Sequence, residues 1–103
     1  MGKIEVYISL PITGYDLKER MAEAEIAKNA LESRMGDAVV VVTPFDICED
    51  LTLPYSRLMA RDIQEIMESD VVVFCKGWEN SRGCRIERKV AEEMQLVIWE
   101  EQK

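Results

Sequence analysis

Two short runs constrain the fold of this chain more than any other feature. Ala38 to Thr43 reads A-V-V-V-V-T, and Val71 to Cys75 is apolar throughout. Runs this short and this rich in β-branched residues form strands, not helices. Because every position is apolar, neither face of such a strand suits water. Strands covered on both faces belong to parallel sheets flanked by helices. Ile4 to Leu10, ended by Pro11 and Gly14, and Leu96 to Trp99 add two further strand-like segments.

Helical patterns fill the intervals. Asp16 stands as an N-cap with Glu19 three residues on, and Leu17, Met21, Ala24, Leu31 and Met35 follow on one face as far as Gly36. Pro44 to Leu53 reads as a loop. A second helix runs from about Pro54 to Ser69, with Leu58, Met59, Ile63, Ile66 and Met67 as its apolar face. A third runs from Arg82 to about Met94, with Ile86, Val90 and Met94 in one row, and Glu100 to Lys103 is a polar tail. The order β-α-β-α-β-α-β over 103 residues predicts a single α/β domain spanning 1–103, with a parallel sheet and helices on both faces. In such sheets ligands bind beyond the carboxyl ends of the strands, where strand order reverses. With the first strand central, the loops Leu10–Tyr15 and Lys76–Ser81 flank that crevice.

Composition narrows the chemistry. The chain has no His, so a Ser–His or Cys–His pair and His-ligated metal sites are excluded within one chain. Acid–base or nucleophilic work falls to carboxylates, thiols, Lys or Tyr. Three cysteines (Cys48, Cys75 and Cys84) form no C-x-x-C pair and suggest neither a disulfide framework nor a zinc ribbon. No metal and no cofactor are expected. A net charge of −7 argues against DNA, RNA or anionic membranes as partners. No apolar run approaches the roughly 20 residues of a membrane span, and Glu5 interrupts any signal-like segment. A soluble cytoplasmic protein is the expectation. So is a homodimer or higher oligomer, since a domain this small buries a modest share of its surface.

Several residues could carry chemistry. Glu87 lies one turn inside the third helix, with Gly83 at i−4 and Ala91 at i+4 leaving room above its carboxylate and the helix N-terminus favouring its charge. An ionised carboxylate in a crevice acts as base or nucleophile; the competing reading is an exposed Glu paired with Arg85 or Arg88. Asp62 sits in an apolar row between Leu58 and Ile66, where it either lines a site or is salt-bridged to another element. Ser81 either caps its helix or offers its hydroxyl to an anion. The loop Ser9 to Asp16 could hold a phosphate or sugar oxygen, or be a plain turn. Tyr7, Tyr15 and Trp78 could stack a base. Seven of the 13 basic residues fall between Arg57 and Lys89, consistent with a small anionic ligand or with a solvated helix face.

The segments V-Y-I-S-L-P-I-T-G, R-D-I-Q-E-I-M-E-S-D-V-V-V-F and G-W-E-N-S-R-G-C-R-I-E together resemble the nucleoside 2-deoxyribosyltransferase superfamily, above all its small bacterial and phage members with a P-I-T-G loop. The resemblance spans nearly the whole chain. It implies a flavodoxin-like (Rossmann-like) doubly wound three-layer sandwich, with a four-stranded parallel sheet and three main helices. It also implies cleavage of an N-glycosidic bond in a deoxynucleoside or its 5′-monophosphate through a covalent glycosyl-Glu intermediate. The family nucleophile falls on Glu87 and its positioning acid on Asp62. Substrate contacts fall on Tyr7, Ser9, Pro11, Ile12, Gly14, Asn80, Ser81 and Gly83, with Trp78 beside them. Leu10 stands where relatives usually have Gly, and Ser81 resembles the monophosphate hydrolases more than the transferases. A catalytically inactive nucleotide-binding or sequestering module on the same fold, and an oligomeric scaffold without a ligand, are the competing functional expectations.

Overall fold

The computed structural model describes residues 2–48 and 50–101. Four strands, β1 (Ile4–Ser9), β2 (Val39–Val42), β3 (Val71–Phe74) and β4 (Val97–Glu100), form one sheet in the order β2-β1-β3-β4. All three pairings are parallel, and Val6 sits between Val41 and Val71. The helices are α1 (Leu17–Met35), α2 (Pro44–Ile47), α3 (Tyr55–Glu68) and α4 (Arg82–Glu93). This is the doubly wound α/β architecture, its strand order reversing between β1 and β3.

Alternation along the strands divides the core into two layers. Val6 and Ile8 of β1, and Leu10 just beyond it, join Val39, Val41 and Val71 beneath Ala24 of α1, with Leu31 and Met35 packed alongside. Tyr7 points to the other face. There it meets Val72 and Phe74 of β3, Ile66 of α3 and Ala91 of α4. Ser9, two residues beyond Tyr7, falls on that same face at the carboxyl end of the strand.

The three long helices stand where the hydrophobic periodicity puts them, with several side chains placed differently. Pro44–Ile47 is a helical turn where a loop was expected. The Asp46 carboxylate accepts hydrogen bonds from the Thr43 amide (3.0 Å) and hydroxyl (3.1 Å), which satisfies the turn's first donor. Leu17 and Met21 remain 42% and 43% exposed, and Leu17 lines a cavity. On α4 the buried row is Cys84, Glu87 and Ala91, while Ile86 and Met94 are exposed. Glu100 ends β4 instead of opening the tail, and its carboxylate accepts from Arg88 at 2.8 Å. Gln102 and Lys103 lie outside the described residues. Among the described residues no helix is long and apolar enough to cross a membrane.

Candidate active site

The crevice beyond β1 and β3 is a cavity of about 830 Å³. Its floor carries two carboxylates on different helices, Asp62 of α3 and Glu87 of α4. Glu87 is buried, and two strand residues reach it from below. The Ser9 hydroxyl donates to its Oε1 at 2.7 Å, and the Tyr7 hydroxyl approaches Oε2 at 3.5 Å. Both hydroxyls are on β1 because i and i+2 share a sheet face. Asp62 is half-buried and close enough to Glu87 and Tyr7 for its charge to act on both.

Burial dominates the electrostatics. Removing the Glu87 carboxyl from water raises its pKa well above the ordinary range, and the Asp62 charge adds to the rise. Asp62 is raised as well, by burial first. Two facing carboxyls of this kind titrate as a pair and share one proton across a window that reaches toward neutral pH. The Ser9 and Tyr7 donors pull the other way on Glu87, but burial and the Asp62 charge outweigh them, so the pair's proton rests mainly on Glu87, raised to about 8, against about 6 for Asp62. The Tyr7 hydroxyl itself is raised by burial and by the two carboxylates, so it remains a donor. Burial therefore outweighs the help expected from the N-terminus of α4. The alternative in which Glu87 is exposed and paired does not hold either. Arg85 donates to the Glu79 carbonyl, and Arg88 pairs with Glu92 and Glu100.

The other anticipated residues divide into two groups. Ile12, Asn80, Ser81 and Gly83 line the cavity beside the carboxylates. Ser81 also caps α4, its Oγ accepting from the Cys84 amide at 3.3 Å. Gly83 sits in close approach to α3, since a Cβ there would stand 3.0 Å from the Tyr55 hydroxyl. Pro11, Gly14 and Trp78 do not line the cavity. Pro11 is fully buried, next to Gly77. Gly14 has φ +88° at the third position of the turn closed by Tyr15 N–H to Ile12 C=O (3.1 Å), where a type II turn needs a left-handed residue. Trp78 packs on Phe74 with ring centroids 5.5 Å apart, and the Arg88 guanidinium covers its ring at 4.7 Å. Tyr15 lies outside the cavity too, under Arg20. Of the basic cluster, Arg82 alone is among the lining residues, and its guanidinium sits 5.4 Å from the Tyr55 ring centre.

Sequence reasoning did not anticipate most of the apolar wall. Leu10 and Leu17 contribute from the β1–α1 side. Pro44, Cys48 and Leu51 come from the segment after β2, and Tyr55, Leu58 and Met59 from α3. Their signal was present at Leu10, which stands where relatives usually have Gly, and at Leu58 and Met59, which lie one turn before Asp62 and share its face. Cys84, three residues before Glu87, completes the floor, and burial raises its thiol. All three cysteines are buried and unpaired. Among the described residues no group of three or more Cys, Asp or Glu side chains is placed to hold a metal ion.

The comparisons with known proteins bear on the fold and the family. A family model described as "Domain of unknown function (DUF4406)" matches residues 4–100. A solved structure described as a 2-desoxiribosyltransferase from Leishmania mexicana superposes with a TM-score of 0.66 at 19% sequence identity, covering 94% of this chain. The chain spans 63% of the length of that protein. No curated protein matches.

Proposed function

The chain belongs to the family described as domain of unknown function DUF4406, and on that footing we propose that it cleaves the N-glycosidic bond of a deoxynucleoside or its 5′-monophosphate, with Glu87 as nucleophile. The observation that carries this reading is the pair of facing carboxylates, one from α3 and one from α4, at the floor of a cavity wide enough for a nucleoside. Likeness to the 2-desoxiribosyltransferase supports it at the level of fold.

The chemistry follows from the shared proton. In the reactive form Glu87 is ionised and Asp62 protonated. A Glu87 oxygen attacks the anomeric carbon, the carbon–nitrogen bond breaks, and its electron pair leaves with the base. Asp62 gives its proton to the departing base, leaving a glycosyl ester on Glu87. Water, or a second base, then attacks the same carbon, loses its proton to Asp62 and frees the Glu87 carboxylate. Two inversions give net retention. Ser9 and Tyr7 hold Glu87 in one orientation throughout. Leu17 and Tyr55 line the cavity and are about two-fifths exposed, so a second copy closing over them belongs to the same reading. Light scattering tests that part, and a strict monomer at high concentration counts against it.

Incubation with a panel of deoxynucleosides and their 5′-monophosphates, with free base followed by chromatography, tests the activity. Release by the wild type and none by Glu87→Ala is the expected result, together with a glycosyl adduct on the intact protein by mass spectrometry. Equal inertness of the two proteins across the panel defeats the reading.

A further inference from the structure

Sheet order sets which residues stand at each end of the cavity. The segments following β2, β1 and β3 lie side by side beyond the sheet, so the cavity runs from above β2 to above β3. The two ends differ in chemistry. Above β3 stand Asn80, Ser81 and Arg82, at the start of α4. Above β2 stand Pro44, Cys48 and Leu51, with Leu58 of α3 also on the apolar wall, while Met59 lies beside Gly83 at the other end. Among the described lining residues the polar side chain at this second end is the Cys48 thiol, and it is already engaged. It donates to the Asp50 carbonyl at 3.3 Å, and Arg61 approaches it at 3.5 Å.

A sugar bearing hydroxyls or a phosphate matches the end above β3, which places the leaving base above β2. An unmodified nucleobase has a hydrogen-bonding edge, and among the described residues that edge finds hardly any side-chain partner there; burying it unpaired is unfavourable. At about 830 Å³ the cavity also lies toward the upper part of the ~300–1,000 Å³ range of small-molecule sites, so a plain nucleoside leaves apolar wall uncovered. We propose that the preferred leaving group is a heterocycle whose exocyclic edge carries an apolar substituent, seated against Pro44, Leu51 and Leu58. The proposal rests on the N-glycosidic reading of the same site.

The test compares matched substrates on the full chain. One is a deoxyadenosine, and the other is the same nucleoside with a propyl group on its exocyclic amine, each with and without a 5′-phosphate. Each methylene buried on the apolar wall is worth about fourfold, so kcat/KM rises by at least about tenfold for the propyl compound. Leu51→Asn lowers that ratio toward one. Base release that depends on Glu87 but shows no preference for the alkylated substrate overturns the proposal and leaves the N-glycosidic reading standing. A preference that Leu51→Asn leaves unchanged also overturns it, since the substituent then sits elsewhere. No Glu87-dependent release from either substrate, plain or alkylated, defeats the parent reading itself.

Discussion

Ser9 and Glu87 are 78 residues apart, and the Ser9 hydroxyl lies 2.7 Å from the Glu87 carboxylate with both side chains buried. Strand β1 supplies the donor and helix α4 the acceptor, so the bond exists only in the folded sheet. A hydrogen bond to a charged group contributes about 1.5–3 kcal/mol. Ser9→Ala removes the donor at small steric cost and raises the Glu87 pKa further. The expected outcome is a loss of about 10- to 100-fold in kcat/KM for base release, with the acidic limb of the pH–rate profile moved to higher pH. Steady-state kinetics across pH 5–9 checks it, and an unmoved limb shows that Ser9 does not tune the carboxylate.

Glu87 also makes stability depend on pH. Its folded pKa is raised, first by burial and then by Asp62. A carboxyl raised in the folded state binds its proton more tightly there. Its favourable contribution is complete below the unfolded value near 4.3 and is lost as pH rises through the folded value. Wild type is therefore expected to lose about 1–3 kcal/mol between pH 5 and pH 9 through this group. Glu87→Gln abolishes base release yet flattens that loss, and its Tm at pH 9 exceeds wild type by about 5 °C or more. Asp62→Asn, which removes the facing charge, moves Tm in the same direction by less. Calorimetry at the two pH values decides; a variant less stable than wild type at pH 9 contradicts the assignment of the burial cost to Glu87.

Trp78 carries a prediction of a different kind, because its ring is spent on packing. It rests on Phe74 and beneath Arg88, and it does not line the cavity. Trp78→Ala is expected to cost about 2–3 kcal/mol of stability, from lost apolar burial and the stacked cation. At temperatures where the variant stays folded, KM for a nucleoside changes by less than about twofold. Chemical denaturation and kinetics on one preparation separate the two effects, and a large KM rise with unchanged stability would restore Trp78 to the site.

The strands were legible because they contradict water at every position. A-V-V-V-V-T and V-V-V-F-C are apolar at every position, which points to a parallel sheet, although Val40 of the edge strand β2 is in fact 38% exposed. Helix faces were less legible for a reason that concerns the site. On α4 the most apolar row is Ile86–Val90–Met94, but the buried row is Cys84–Glu87–Ala91. Hydrophobicity assigns a Glu to solvent, so a periodicity argument turns the helix away from the orientation that buries its carboxylate. Asp62 was easier to find, since Leu58 and Ile66 flank it on its own row. The apolar wall after β2 left no trace in any pattern, because Pro44, Cys48 and Leu51 come from a turn and a loop, where side-chain direction follows tertiary contacts and not a period. Trp78 and Gly14 misled for the opposite reason: each has a conspicuous residue type whose structural role, core packing in one and a type II turn in the other, is sufficient.

Gly83 and Tyr55 offer the most direct check on the geometry of the cavity. A Cβ at Gly83 would stand 3.0 Å from the Tyr55 hydroxyl, 3.5 Å from Met59 Sδ and 3.9 Å from Ser81 Oγ. The tightest of these is the far end of a side chain that is 41% exposed, so Tyr55 yields by a few tenths of an ångström. Replacing a helical Gly by Ala stabilises by roughly 0.5–1 kcal/mol, and this strain offsets it. Gly83→Ala alone is therefore expected to change stability by less than about 0.5 kcal/mol. In the Tyr55→Phe background the clashing oxygen is gone, and the same substitution stabilises by about 0.5–1 kcal/mol. The double-mutant cycle gives a coupling of about 0.5 kcal/mol or more between residues 28 positions apart in sequence. Activity responds differently, because the added methyl stands in the cavity in both backgrounds. KM for the nucleoside rises several-fold with Gly83→Ala whether residue 55 is Tyr or Phe. Strict additivity in stability would mean that Tyr55 does not lie over Gly83, and an unchanged KM would mean that the substrate does not pass this turn of α4.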